Sequence, residues 1–204
     1  MGGKRIGLFF GSFNPIHNGH LMVANFLAEF GELDQVWLVI SPLNPLKNEN
    51  ELLADYHRRE LLNRAIGDYP KFRVSTVEFN LPKPSYTIDT LAFLAEKYPE
   101  NQFSLIMGSD LLTDFHRWKN YEEILAYYQI LVYPRPDKGP LSIPNSSITH
   151  FEHQNHPSVK LVGSAPMIEI SSSFIRKSIK LKKDIRFFMP DQVWQYIDEM
   201  HFYK

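Results

Sequence analysis

The 204-residue chain contains no cysteine. That absence excludes disulfides, thiolate zinc sites and cysteine nucleophiles, and it agrees with a reducing compartment. Neither sign of charge is in excess, since 22 Lys and Arg stand against 23 Asp and Glu for a formal net charge of −1. An extended nucleic-acid footprint is therefore excluded, and a nucleotide partner should be a small one. No apolar run approaches the ~20 residues that a bilayer-spanning helix needs. Met1-Gly2-Gly3-Lys4-Arg5 leads into a strand-like segment rather than a signal peptide. The expectation is a cytoplasmic protein that contacts neither membrane nor nucleic acid. The Walker pattern and G-x-G-x-x-G are missing as well. Chemistry is left to His, Lys, Arg, Ser and carboxylates.

What is present is an ordinary core-forming composition, 44% hydrophobic and 22% charged, enough for one domain over residues 1–204. Short runs rich in Val, Ile and Phe at residues 6–10, 36–40, 72–77, 103–107 and 130–133 read as buried parallel strands, with another at 159–162. Helical periodicity separates them: Leu21, Val23, Ala24, Leu27 and Ala28; then Leu61, Leu62, Ala65 and Ile66; then Ile88, Leu91, Ala92, Leu94 and Ala95, with Ser85 as a candidate cap. Ser171-Ser172-Ser173 caps a further helix through Phe174, Ile175 and Ile179, and Pro190 opens a last one carrying Val193, Trp194 and Ile197. Alternation of this kind predicts an α/β fold: a doubly wound, Rossmann-like parallel sheet, helices on both faces, and a C-terminal helical segment. Residues 134–157, rich in Pro and polar residues, read as a surface excursion.

In such a sheet, ligands bind at the carboxyl ends of the strands. The polar candidates collect there: 11–20 after the first strand, 41–47 after the second, 85–87 after the third, 108–118 after the fourth, 171–176 after the last. His17-Asn18-Gly19-His20 puts two imidazoles around the start of a helix, where free N–H groups and the dipole favour an anion, and glycine allows close approach. Taken singly, Lys47 is a solvated lysine, Trp118 a core aromatic, and 171–176 a capped helix; their convergence on one edge gives them meaning together. His150, His153 and His156 have a zinc-like spacing, but their Pro-rich, polar setting reads as an irregular loop, so no resident metal is expected. Lys177, Lys180, Lys182 and Lys183 read as a solvated helix face.

Gly11-x-Phe13-x-Pro15-x-His17-x-Gly19-His20 resembles the signature of the nucleotidyltransferase α/β-phosphodiesterase superfamily, and Ile170-Ser171-Ser172-Ser173-x-Ile175-Arg176 its second motif. With Ser85-Tyr86-Thr87-Ile88-Asp89-Thr90-Leu91, Gly108-Ser109-Asp110 and Trp118, the set is similar to the bacterial nicotinate-nucleotide adenylyltransferases over nearly the whole chain. Pantetheine-phosphate adenylyltransferases and glycerol-phosphate cytidylyltransferases share the histidine signature but lack the Trp118 and 85–91 segments. Two positions depart from the family pattern: Phe10 precedes Gly11 where a second glycine is commoner, and Asn14 stands where aspartate is commoner.

The resemblance implies adenylyl transfer from ATP to nicotinic acid mononucleotide, giving deamido-NAD and pyrophosphate, with Mg2+ arriving on ATP. It implies catalytic roles for His17, His20, Lys47 and Arg176. ATP would be held by Gly11, Ser12, Phe13, His17, Gly19, His20, Gly108, Asp110, Ile170, Ser172 and Arg176. The mononucleotide would be held by Ser12, Phe13, Lys47, Ser85, Tyr86, Thr87, Asp110 and Trp118. The alternatives are transfer to nicotinamide mononucleotide or phosphopantetheine, or a non-catalytic nucleotide sensor; homo-oligomerisation stays open.

Overall fold

In the computed structural model the described residues are 2–42, 52–135, 153, 155–162, 165–166 and 168–204. Lys47 and His150 lie outside them, as does most of the 134–157 excursion. Six strands form one sheet: β1 (Arg5–Gly11), β2 (Gln35–Ile40), β3 (Phe72–Ser75), β4 (Gln102–Gly108), β5 (Gln129–Tyr133) and β6 (Val159–Leu161). Their order is β3-β2-β1-β4-β5-β6, and all five pairings are parallel. The chain winds outward from β1 to β3, returns to the other side of β1 as β4, and winds out again. The reversal between β1 and β4 is the switch point at which such sheets open a crevice.

Parallel strands need crossovers, and helices supply them. α1 (Asn18–Phe30), α2 (Asp55–Ile66), α6 (Ser172–Lys180) and α7 (Asp191–Glu199) cover one face, and α3 (Thr87–Lys97) and α5 (Tyr121–Tyr127) the other; α4 (Ser109–Leu112) is a single turn after β4. Each face has its own core. Phe9, Leu38, Ile106 and Leu131 meet Ala24, Leu27, Leu61, Ile175 and Val193 on the first; Leu8, Trp37, Leu105 and Ile130 meet Leu91, Leu94 and Ile124 on the second. Alternate side chains of one strand thus enter opposite cores, which is why the strands read as continuous apolar runs.

The expected strands are present, with β3 ending at Ser75 because residues 77–80 close into a 3₁₀ turn. Ser85 does not cap α3: the helix starts after Tyr86, which makes no side-chain cap bond, and Ser85 bonds Glu78 instead. Ser171 does cap α6, its hydroxyl accepting the Phe174 N–H at 3.2 Å. α5 has no counterpart in the sequence reading; its seven residues bury only Ile124 and Leu125, too short a period to register.

Candidate active site

The parallel register aligns the strand ends: Gly11 lies opposite Ile40, and Gly108 opposite Tyr133. From Gly11 the chain turns sharply, with Phe13 at φ 45° and a cis Asn14-Pro15 bond, and enters α1 at His17. The Phe13 ring is 1% exposed, packed edge-on against Phe9 and His20, so Phe13 can offer a ligand only its backbone. A Cβ on Gly11 would come within 2.9 Å of that ring, which explains the glycine.

His17 is the helix cap: its Nδ1 accepts the His20 N–H at 3.3 Å, which places the ring proton of the neutral imidazole on Nε2. The two rings stack with centroids 3.7 Å apart and planes 24° from parallel. Gly19 makes room, since a Cβ there would meet the His17 ring at 3.0 Å. Burial, reinforced by the Arg135 guanidinium, lowers His17 to about 4, and burial, His17 and Arg135 hold His20 well below the ordinary imidazole range. Both are neutral donors at physiological pH. The Nδ1 of His20 is buried without a hydrogen-bond partner among the described residues, the condition expected of a group whose partner is a ligand.

The second motif meets the first through the start of α6. Ser172 Oγ donates to the Pro15 carbonyl at 2.9 Å, and Arg176 Nη1 donates to the Asn14 carbonyl at 2.9 Å. Residues 157 and 162 positions apart in the chain thus clamp one turn. Asn14 is buried, its Oδ1 accepting from the Leu53 N–H and the Tyr203 hydroxyl. Ile170 is partly buried against the same core.

The remaining residues gather on the other side of the crevice. Tyr86 is exposed at the head of α3, Thr87 begins the helix, and Trp118 packs on Phe115 at 5.4 Å. Lys119 ties the two segments together, pairing with Asp89 at 3.0 Å and lying 4.6 Å over the Tyr86 ring. Gly108 and Asp110 stand at the end of β4, where Asp110 Oδ2 pairs with Arg135 at 3.1 Å. Of the histidines at 150, 153 and 156, His153 packs on Tyr121, His156 Nδ1 accepts from the Ser158 N–H, and the His156 backbone N–H donates to the His153 carbonyl at 2.9 Å.

Three residues of this edge escaped the sequence reading. Arg58 of α2 is fully buried and donates to the carbonyls of Ser12 (2.9 Å), Ser41 (2.7 Å) and Leu53 (3.2 Å), and pairs with Asp55 at 2.5 Å. Glu78 is buried, bonded to Thr90 at 2.9 Å and to Ser41 and Ser85; burial raises its carboxyl above the usual range. Arg135 follows β5. Each reads in the sequence as a solvated charge, and no local pattern marks any of them.

The paired histidines, the serine–arginine clamp and the glycines at two strand ends all stand at the switch point, the place where α/β sheets of this class bind nucleotides. Residues 8–178 match the cytidylyltransferase-like family. The chain is 52% identical over 200 residues to a protein of Flavobacterium psychrophilum named "Probable nicotinate-nucleotide adenylyltransferase", covering 98% of this chain and 99% of that one. It is 49% identical over 201 residues to a protein of the same name in Christiangramia forsetii, with 98% and 99% covered. Its fold matches that of Plasmodium falciparum nicotinic acid mononucleotide adenylyltransferase complexed with NaAD, with a TM-score of 0.74 at 22% identity, covering 98% of this chain and 97% of that one. The chain belongs to the nicotinate-nucleotide adenylyltransferases of the cytidylyltransferase-like family.

Proposed function

We propose that the chain, working as one cytoplasmic domain over residues 1–204, transfers the adenylyl group of ATP to nicotinic acid mononucleotide. An oxygen of the mononucleotide phosphate bonds to the α-phosphorus in line, the bond from that phosphorus to the β-phosphate bridge breaks, and pyrophosphate leaves with deamido-NAD as the other product. The attacking phosphate is already an anion, so the residues position groups and stabilise charge and no general base is required. The observation that carries this reading is the stacked, neutral histidine pair at the start of α1, with His20 Nδ1 unpartnered among the described residues at the β1/β4 switch point.

His20 would donate to the α-phosphate and His17 to the triphosphate beside it. Ser172 and the first-turn N–H groups of α6 would receive the β- and γ-phosphates, joined by the Arg176 fork and by Lys47. Backbone groups of Gly11, Ser12, Phe13 and Gly19 and the Gly108–Asp110 turn would complete the ATP site, with Asp110 shared between the two nucleotides. Mg2+ would arrive with ATP, held chiefly by phosphate oxygens and water; among the described residues no group of three or more His, Asp or Glu stands together.

Trp118 would stack on the pyridine ring, while the uncapped first turn of α3, with Ser85, Tyr86 and Thr87 at its mouth, receives the substituent at the 3-position. Free N–H groups and the dipole favour a carboxylate there, whereas a carboxamide turns an NH₂ toward donors and leaves one unpaired. Pyrophosphate release from ATP with each mononucleotide tests both parts. The expected kcat/KM for nicotinic acid mononucleotide is at least ~10²-fold above that for nicotinamide mononucleotide. Equal values would overturn the acid preference, and no release with either would overturn adenylyl transfer.

A further inference from the structure

We propose that Arg135 is a further catalytic residue of this site: when ATP fills the crevice, its guanidinium leaves Asp110 and contacts the triphosphate. The inference rests on the adenylyl-transfer reading above. Arg135 stands two residues beyond the end of β5, after Pro134, and its backbone is fixed to the neighbouring strand end, its N–H donating to Ser109 Oγ at 2.9 Å while that hydroxyl donates back to the Arg135 carbonyl at 3.4 Å. The side chain then runs over Gly108, where an added Cβ would stand 2.6 Å from its Cδ and 2.5 Å from Asp110 Oδ1. It thus points back along the strand ends toward the histidines, close enough that its charge bears on both His17 and His20.

Its tie to Asp110 is a single Nη1–Oδ2 contact at 3.1 Å between side chains that are 37% and 27% exposed. Asp110 Oδ1, by contrast, is buried without a hydrogen-bond partner among the described residues. A nucleoside triphosphate suits both halves of this pair. A ribose hydroxyl can donate to the unpartnered carboxylate oxygen, and a polyanion offers the guanidinium a bidentate, more highly charged partner than one carboxylate. The ion pair therefore serves as a resting position that keeps a buried-edge cation ordered until ATP arrives.

The test is calorimetric titration of ATP with Mg2+ into the wild type, R135Q and R135K, with no mononucleotide present, followed by steady-state kinetics. R135Q should weaken ATP binding by at least about tenfold, with the KM for nicotinic acid mononucleotide unchanged. NMR titration of ATP-free R135Q should show His17 moving up from about 4. R135K, which keeps a charge without the fork, should bind ATP more tightly than R135Q yet still lose kcat. Unchanged ATP affinity in R135Q, or a loss of affinity with His17 unmoved, would overturn the proposal; should R135Q fail to fold, wild-type affinity and kcat in R135K would do so. Because ATP binding is read without turnover, a wild type that binds ATP but releases no pyrophosphate refutes the adenylyl-transfer reading and leaves the Arg135 result standing.

Discussion

His17 and His20 are neutral for a physical reason with two consequences. Burial removes the water that would solvate an imidazolium, and the nearby guanidinium repels it. The site therefore presents two oriented N–H dipoles rather than two positive charges, and a bound triphosphate finds donors already in place. Replacing His20 by alanine should lower kcat by ~10²–10³ while raising the ATP KM far less, because one preorganised donor to the reacting phosphate is lost. Steady-state kinetics at saturating mononucleotide decide this, and a near-normal kcat would remove His20 from the chemistry. The second consequence concerns stability. The folded state holds His17 near 4 against about 6.5 in the unfolded chain, so the unfolded chain binds more protons between those values. Stability is then full above about pH 6.5 and falls as pH drops toward 4, by up to about 3 kcal/mol from this one group. Urea midpoints at pH 7 and pH 4.5 should show that decline, and His17→Asn should shrink it.

The elements of the site are joined by side chains that cross between them, so each loop is only as well placed as its clamp. Arg176 of α6 reaches the Asn14 carbonyl, and Arg58 of α2 reaches the loops after β1 and β2 at once. Arg176→Lys keeps the charge but cannot both hold that carbonyl and present a fork to phosphate. It should lose kcat and ATP affinity together, read from kcat and the ATP KM, and wild-type kinetics would take Arg176 out of the site. Glu78 plays the corresponding part on the mononucleotide side, connecting Ser41 at the end of β2 to Ser85 and to Thr90 within α3. Arg58 and Glu78 both meet Ser41, so the two halves of the crevice share a buried polar junction.

Across the whole molecule, the C-terminal segment returns to the first loop. α7 packs on α2, with the His57 ring nitrogen 2.9 Å from the Tyr196 hydroxyl, and Tyr203 donates to Asn14 Oδ1 at 2.7 Å. Burial raises the Tyr203 phenol far above its ordinary range, so it remains a donor throughout the working pH range. Tyr203→Phe removes that donor and should cost about 1 kcal/mol in a urea unfolding experiment, with a raised ATP KM because the Asn14-Pro15 turn loses one of its anchors. Unchanged stability and KM would show that the turn holds itself.

The sequence alone determined the layout, because the signals involved are local. Apolar runs of strand length, helical periodicity and a serine cap set β1 to β6 and most of the helices, and parallel strands force every βα turn onto one edge. The histidine and serine–arginine motifs were legible for the same reason, each being contiguous. Tertiary structure alone decided which charged residues support them. Arg58, Glu78 and Arg135 resemble solvated residues in their own neighbourhoods, and the partners that join them to other loops, Ser12 and Ser41 for Arg58, Ser41 for Glu78 and Asp110 for Arg135, lie 17 to 46 positions away. It also decided that Phe13 is a buried packing ring, that Ser85 serves Glu78 rather than a helix end, and that His17 and His20 are neutral. Burial and long-range charge set all of these, and neither is a property of a short stretch of chain.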